Sequence, residues 1–271
     1  MSRISNPIAI AVFDIDGVLR DVSGSYQRAL ADTVEKFTDG QYRPTDDEID
    51  TLKGEGLWNN DWEASQELVY RYFEQQGKPR DSLTLSYETM VDFFQSRYRG
   101  PNQADPDQWT GYISQEPLLA DLAYFESLSN GGVAWGFFSG ATRGSASYIL
   151  ERRMGVTPPA LIAMEDAPGK PDPAGLFTVV EKLTQQHQLP ESLPVIYSGD
   201  TVADIQTVVR AKEHQLQRPW LSVGVLPPHV ASRDMDYRQT YSNTLMTAGA
   251  DVVIERVRDL TPGYIESLLS V

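Results

Sequence analysis

Short, uninterrupted apolar runs mark the beginning of the chain and recur through its second half. The first, at residues 8–13, is rich in β-branched and aromatic residues, as is typical of a parallel strand covered on both faces. Helix-like stretches separate several of the later runs, and this alternation predicts an α/β fold with a parallel sheet. We predict strands at residues 8–13, 133–138, 160–163, 194–197, 220–225 and 251–254, and helices at 141–153, 173–187 and 202–214.

Residues 22–112 have a different pattern. Apolar residues there recur at helical spacing, and runs typical of strands are few. This block follows the first strand directly, which predicts a helical domain inserted between strands one and two. The expected domains are therefore a core of residues 1–21 and 113–271 and a helical insert of residues 22–112. Helices are predicted at 26–37, 45–52, 62–76 and 82–97, and the polar stretch 227–250 is predicted to be a surface excursion.

Composition narrows the function. The chain of 271 residues has a net charge of -15, whereas nucleic-acid binding and attachment to anionic lipid both need a basic surface. It has no cysteine, which excludes disulfides, zinc–thiolate sites and thiol nucleophiles. No run approaches the roughly 18 apolar residues of a membrane span, and the apolar stretch near the N-terminus is too short for a signal peptide. We expect a soluble, cytoplasmic protein without nucleic-acid or membrane partners.

Acidic residues follow the first predicted strand. Asp14 and Asp16 stand two residues apart, before Gly17, at the end of a parallel strand where ligands bind. Two carboxylates so close repel each other unless a cation lies between them or one carries a proton. A hard divalent ion prefers such oxygen ligands, and a protonated carboxyl can donate to a leaving group. An Asp-rich turn explains this segment alone equally well.

Three further segments change that balance. Ser139 and Gly140 follow the second predicted strand, where they form either a phosphate cradle or a helix cap. Lys170 offers a phosphate the point charge that an acidic protein needs, although a surface lysine is the alternative. Asp200 and Asp204, four apart at the start of a helix, either flank one cation or favour the helix dipole. Because all the segments lie at the same end of successive strands, we favour the catalytic interpretation.

These motifs resemble the haloacid dehalogenase superfamily. They are D-x-D-G-V-L at 14–19, S-G at 139–140, K-P at 170–171 and G-D-x-x-x-D at 199–204. The resemblance implies a flavodoxin-like, Rossmannoid core, and the position of the insert resembles the helical cap of subfamily IA. The cap block also resembles a chiefly cyanobacterial subgroup of these hydrolases.

The resemblance implies roles residue by residue. Asp14 would be the nucleophile that forms an aspartyl-phosphate. Asp16 would be the general acid/base, and its backbone carbonyl would also bind the metal. The other implied positions are the phosphate-binding Ser139, Gly140 and Lys170 and the Mg²⁺ ligands Asp14, Asp16, Asp200 and Asp204.

The expected reaction is Mg²⁺-dependent hydrolysis of a small phosphorylated metabolite, a phosphate monoester. Asp16 argues against a dehalogenase, because displacing a halide from carbon needs no acid on a leaving oxygen. A phosphoglucomutase-like mutase is the first alternative. A non-enzymatic interaction protein of the same fold is the second, and the full set of acids disfavours it. A monomer and a homodimer are both open.

Two segments have open interpretations. Residues 53–62 are polar and contain two tryptophans and two glycines, which make the chain flexible. This stretch either contacts the substrate through Trp58, Asn59 and Asn60, or it has a structural role in packing and capping helices of the insert. Arg20 stands where an apolar residue is common in the family. It either contacts a second anionic group of the substrate or pairs with Asp21, and we favour the pairing.

Overall fold

The computed structural model describes residues 4, 6–55, 57–58, 60–157 and 159–270. The chain forms two compact units: a core unit of Met1–Asp21 with Pro117–Val271, and a helical unit of Val22–Glu116. The chain thus returns from the helical unit to the core unit after Glu116, whereas the sequence predicted this boundary after residue 112. The intervening residues belong with the helices: Ile113 is buried, and the Tyr112 hydroxyl donates to Asp32, 2.6 Å away.

In the part of the core unit that the structure describes, six parallel strands form one sheet, in the order β3-β2-β1-β4-β5-β6. This is the doubly wound order of Rossmann-type folds, and it confirms the expected fold class. Every predicted strand is present: β2 and β5 have the predicted bounds, and the ends of the others differ by at most two residues. The strands are β1 Ala9–Phe13, β2 Val133–Phe138, β3 Leu161–Ile162, β4 Val195–Gly199, β5 Trp220–Val225 and β6 Val252–Ile254.

The α-helices lie between the strands and after the last one. Along the sequence they are α1 Tyr26–Phe37, α2 Asp46–Gly54, α3 Asp61–Gln75, α4 Tyr87–Tyr98, α5 Leu122–Asn130, α6 Arg143–Ser147, α7 Ala174–His187, α8 Val202–His214, α9 Pro228–Ala231, α10 Met235–Ala248 and α11 Pro262–Leu269. None of the helices in the described ranges is long and apolar enough to cross a membrane.

Strand β1 occupies the middle of the sheet, between β2 and β4. All five of its residues are buried, because helices cover both faces of the sheet. On one face α7 contributes Leu176, Val179 and Leu183 to the same hydrophobic cluster as Ile10 of β1. This rigid strand delivers the acidic loop that begins at Asp14.

Capping groups in the helical unit explain where its helices begin. The hydroxyl of Thr45 and the carboxylate of Glu48 form a capping box at the start of α2. Helix α4 begins at Tyr87, five residues later than predicted, because Ser86 caps it. Residues Arg80–Ser82 form a separate 3-10 turn.

Two parts of the core unit differ from the sequence prediction. The single helix expected at 141–153 is a short α-helix followed by a π-helical turn at Tyr148–Arg153. The excursion expected at 227–250 contains α9 and α10. Leu245 is the buried residue of α10, so the helix has no apolar stripe that sequence periodicity would reveal.

Candidate active site

The topology of the sheet places the candidate site. After β1 the chain continues to β2 on one side, and β4 lies on the other side of β1. Ligands of doubly wound sheets bind outside the carboxyl ends of the strands at such a switch point. Asp14 follows β1 and Asp200 follows β4, and the amide of Asp14 donates to the carbonyl of Ser198 at 2.9 Å.

Three carboxylates meet at this edge. Asp14, Asp200 and Asp204 each offer an oxygen, and these oxygens lie within 4.8 Å of one another. Two glycines make this approach possible. Gly17 has a left-handed φ of 74°, and a Cβ there would overlap the carboxylate of Asp200; a Cβ on Gly199 would overlap Asp204. The glycines of both acidic motifs are therefore required by close packing around the carboxylates.

Lys170 reaches into this cluster from the loop before α7. Its ammonium lies 2.7 Å from Oδ1 of Asp14 and 2.6 Å from Oδ1 of Asp204. The ring faces of Phe138 and Tyr197 lie 5.3 Å and 5.4 Å from the ammonium. The ammonium is thus held by two carboxylates and two ring faces, which makes Lys170 a fixed cation beside the carboxylate of Asp14.

Asp204 is saturated with hydrogen bonds. Its Oδ1 also accepts from the Tyr197 hydroxyl at 3.0 Å. Its Oδ2 accepts from the amide and the hydroxyl of Thr201 at 3.0 Å and 2.6 Å. Burial opposes the charge of Asp204, but Lys170 and Thr201 outweigh it and hold the pKa of this carboxyl below its usual value. Asp204 therefore acts mainly as the fixed counter-ion of Lys170.

Sequence reasoning missed Tyr197. It lies on β4 in an apolar run and is almost wholly buried, so its pattern predicts a core residue. The single proton of its hydroxyl is shared between two acceptors, Oδ1 of Asp204 at 3.0 Å and the Phe138 carbonyl at 3.1 Å. It thereby links the ends of β2 and β4, and the signal available was a phenol that needs a partner when buried.

Asp14 and Asp200 have fewer stabilising partners for a negative charge than Asp204 has. Burial raises the pKa of Asp14 to about 7, since the charge of Lys170 only partly offsets it and Asp204 and Asp16 add to it. Burial, then the charges of Asp204 and Asp14, raise the pKa of Asp200 well above its usual value. Three carboxylates against the single ammonium of Lys170 fit a hard divalent cation with oxygen ligands. Asp14 and Asp200 are the side chains best placed to hold it.

Asp16 lies outside this carboxylate cluster. Its Oδ1 accepts a hydrogen bond from Nε of Arg20 at 2.6 Å, and Nη2 of the same guanidinium lies 2.6 Å from this oxygen as an ion-pair contact. The structure thus shows Arg20 paired with Asp16, a partner that the sequence interpretation did not consider. The two neighbouring acids of the D-x-D-G motif therefore have separate cations, Lys170 for Asp14 and Arg20 for Asp16.

The family model of haloacid dehalogenase-like hydrolases matches residues 8–212, more than half of the chain. The chain belongs to this family. The matched range begins at β1, contains the whole helical unit and ends within α8. Every residue of the carboxylate cluster and Lys170 therefore lie inside it.

Solved structures share the fold of this hydrolase. A phosphonoacetaldehyde hydrolase-like protein from Oleispira antarctica superposes with a TM-score of 0.64 at 17% identity, over 99% of this chain and 94% of that one. The phosphatase Tt82 from Thermococcus thioreducens superposes with a TM-score of 0.63 at 20% identity, over 88% and 99% of the two chains.

A curated relative matches almost the whole hydrolase chain. Imidazoleglycerol-phosphate dehydratase from Phytophthora nicotianae is 27% identical over 272 residues, which are 98% of this chain and 53% of that protein. The chain thus spans about half the length of the curated relative it matches.

The predicted phosphate cradle of this hydrolase lies at the end of β2. Ser139 is buried, and its hydroxyl accepts a hydrogen bond from the amide of Ala141 at 3.1 Å. Thr142, not Ser139, caps α6, which removes the capping alternative for Ser139. Gly140 is exposed, and no atom of the described residues lies within 4 Å of the Cβ it would carry. Its backbone is therefore open to a ligand.

The predicted specificity residues of the helical unit have local partners. The Trp58 indole donates to Glu55 at 2.9 Å. The Asn60 side chain accepts from the amide of Trp62 at 3.0 Å and caps α3, as the structural alternative predicted. Asn59 lies outside the described residues. A role in substrate recognition for these residues stays a prediction.

Proposed function

We propose that this hydrolase is a Mg²⁺-dependent phosphatase that cleaves small phosphate monoesters through an aspartyl-phosphate on Asp14. One observation carries the proposal: a buried carboxylate at the switch point of the sheet lies 2.7 Å from the fixed ammonium of Lys170 and beside two further acids. A nucleophile, a cation for phosphoryl oxygens and oxygen ligands for a metal are the parts that phosphoryl transfer needs.

The reaction follows from these residues. An oxygen of Asp14 attacks phosphorus, the bond from phosphorus to the ester oxygen breaks, and Asp16 gives that oxygen a proton. Water then attacks phosphorus, Asp16 takes a proton from the water, and Asp14 leaves as a carboxylate. Lys170 stabilises the charge on the phosphoryl oxygens. Mg²⁺ held by Asp14, Asp200 and the backbone carbonyl of Asp16 would neutralise the repulsion between the carboxylate and the phosphate.

The backbone of Gly140 and the hydroxyl of Ser139 complete the proposed phosphate site. Both lie at the end of β2, the strand next to β1. The Ser139 hydroxyl accepts from Ala141, so its own proton is available to donate to a phosphoryl oxygen. This supports a phosphate cradle in a protein whose net charge of -15 repels anions.

The test is release of inorganic phosphate from p-nitrophenyl phosphate and a panel of phosphorylated metabolites, with and without Mg²⁺. We expect turnover only with the metal, and none in Asp14→Asn. Asp92→Asn is the matched control, since Asp92 is an exposed residue of α4. Unchanged turnover in Asp14→Asn would refute the proposal. Isomerisation that depends on a bisphosphate activator, with little net phosphate release, would identify a mutase instead.

The relative from Phytophthora nicotianae suggests which monoesters to include. Its name describes action on an imidazole-bearing phosphate ester, and this chain matches about half of it. We propose that imidazole-bearing phosphate monoesters, imidazoleglycerol phosphate among them, are substrates. The measurement is kcat/KM for imidazoleglycerol phosphate against glycerol phosphate, which lacks the ring. Equal values for the two esters would contradict this proposal.

A further inference from the structure

Arg20 is an unusual residue for a buried position. Its side chain has an exposed fraction of 0%, whereas that of its partner Asp16 is 30% exposed. Burial of a guanidinium is costly unless it is paired and hydrogen-bonded. Arg20 donates from Nε to Oδ1 of Asp16 at 2.6 Å, and Nη2 forms an ion-pair contact of 2.6 Å with the same oxygen. Arg20 is the buried partner of this pair, and Asp16, the proposed general acid/base, is the partner that solvent reaches.

The backbone around Arg20 is fixed as well. Its amide donates to the carbonyl of Ile15 at 3.2 Å, and its carbonyl accepts from the amide of Gly17 at 2.9 Å. On the other side, the amide of Asp21 donates to Pro117 and the amide of Leu119 to Leu19, at 2.9 Å and 2.8 Å. Arg20 therefore has neither backbone nor side-chain freedom with which to follow a moving partner.

Asp16 is held by one oxygen only. Within the described residues its Oδ2 accepts no hydrogen bond, while Oδ1 is bound by Arg20. A partly exposed aspartate with no partner samples several rotamers, and ordering it costs free energy in each turnover. The pairing fixes the carboxylate and leaves one oxygen available for proton transfer.

We propose that Arg20 is a positioning residue: it binds Oδ1 of Asp16 so that Oδ2 faces the ester oxygen and then the attacking water. This inference rests on the proposed function. Arg20 itself contacts neither the substrate nor the phosphoryl group. In this assignment Arg20 affects the reaction through Asp16, and a residue that merely stabilises the loop would affect every substrate alike.

Leaving-group dependence tests this assignment. An alkyl phosphate needs a proton on its departing oxygen, whereas p-nitrophenolate departs without one. We expect Arg20→Gln to lower kcat/KM about 10- to 100-fold on an alkyl phosphate and less than about threefold on p-nitrophenyl phosphate. Arg20→Lys should recover part of the loss, because it restores a cation but not the planar guanidinium that donates from Nε.

The Asp16→Asn background supplies the second readout. There, Arg20→Gln should cause no further loss on the alkyl phosphate, since no general acid remains to be positioned. Circular dichroism and thermal melts establish folding, and Arg20→Lys carries the same comparison if Arg20→Gln does not fold. Equal losses on both esters, or an additive loss in the double variant, would overturn the inference alone. A wild-type chain that releases phosphate from neither ester refutes the proposed function and, with it, this inference.

Discussion

The two units of this hydrolase use their charged residues in opposite ways. In the core unit, Lys170 and its two carboxylate partners are almost wholly buried, and the acids outnumber the cation. In the helical unit, Arg71 pairs with Glu55 at 2.6 Å while both side chains remain 37% exposed. A buried cluster in which acids exceed cations lies at one edge of the sheet, whereas the Arg71–Glu55 pair of the helical unit is exposed to solvent.

This difference has a physical reason. An exposed ion pair is solvated and screened, so it contributes little and can be replaced at little cost. A buried cluster with excess charge destabilises the fold unless a ligand neutralises it, and strongly perturbed pKa values of this kind concentrate at functional sites. The raised pKa values of Asp14 and Asp200 therefore indicate a place where the fold keeps an unfavourable arrangement for its chemistry.

Removal of the buried cation should produce the largest effect. Lys170→Met leaves Asp14 and Asp204 without their shared partner, and we expect kcat/KM for phosphate release to fall about 10²- to 10³-fold. The stem of Met fills the space against Phe138 and Tyr197, which limits the packing loss. Steady-state kinetics with saturating Mg²⁺ measures the effect.

Lys212→Met is the matched control for that variant. Lys212 pairs with Asp251 at 2.8 Å, but both side chains are more than a third exposed. We expect activity within about twofold of the wild type and a small change in stability. Equal losses in the two variants would show that burial of Lys170 has no special consequence.

The second prediction concerns pH and metal. The pKa of Asp14 is raised from 3.8 to about 7, and that of Asp200 is raised as well, so between pH 4 and 7 the folded chain binds more protons than the unfolded one. Stability from these groups is present at low pH and is lost as pH rises through the folded pKa. We expect the Tm without metal to be higher at pH 5 than at pH 7.5.

Mg²⁺ should change that dependence. Mg²⁺ binding to the folded state raises the Tm at pH 7.5, because the carboxylates are deprotonated there and can bind the ion. The difference in Tm between pH 5 and pH 7.5 therefore becomes smaller. Asp200→Asn should lose most of the Mg²⁺ effect, whereas Asp92→Asn should keep it. Identical Mg²⁺-induced shifts in the two variants, followed by differential scanning fluorimetry, would place the metal elsewhere.

The sequence predicted the fold and the cluster because both follow from local patterns. Strands β2 and β5 have the bounds that their apolar runs predicted. The carboxyl ends of parallel strands lie at one edge of the sheet, so the acids that follow β1 and β4 are expected to lie close together. Helix α10 escaped prediction because a helix with a single buried residue has no apolar period.

Side-chain partners inside the site could not be predicted in the same way. The four-residue spacing from Asp200 predicted that Asp204 lies near a cation. Only the folded structure shows that Lys170, Tyr197 and Thr201 donate hydrogen bonds to both of its carboxylate oxygens. Likewise, spacing four apart allows Arg20 to reach Asp16, but the choice between neighbouring acids depends on how the loop closes. Hydrogen-bond partners are set by tertiary geometry, which residue patterns do not encode.

Tyr197→Phe should have an intermediate effect. The change removes the hydroxyl that joins Asp204 to the Phe138 carbonyl, at a cost of about 1–2 kcal/mol in the free energy of unfolding. Because Asp204 holds Lys170, we also expect a three- to tenfold lower kcat. Urea denaturation and steady-state kinetics measure the two effects.

Tyr72→Phe is the control from the other unit. The Tyr72 hydroxyl donates to Gln41 at 2.9 Å at an exposed position, so its loss should change the free energy of unfolding by less than about 0.5 kcal/mol. A Tyr197→Phe variant as stable and active as Tyr72→Phe would show that the phenol does not support the site.

Glu35→Gln should have the smallest effect. It tests directly whether an exposed ion pair of the helical unit contributes to stability. Glu35 pairs with Arg43 at 2.6 Å, and both side chains are 43% exposed. Arg43 keeps its second partner, Asp32, at 2.8 Å, so no charge is left without an acid. We expect the free energy of unfolding to change by less than about 1 kcal/mol, and the difference from wild type to vanish in about 1 M salt, where the screening length is near 3 Å. A salt-independent loss of about 2 kcal/mol or more in urea denaturation would show that an exposed pair in this unit contributes as much as a buried one, and burial would then not distinguish the ion pairs of the two units.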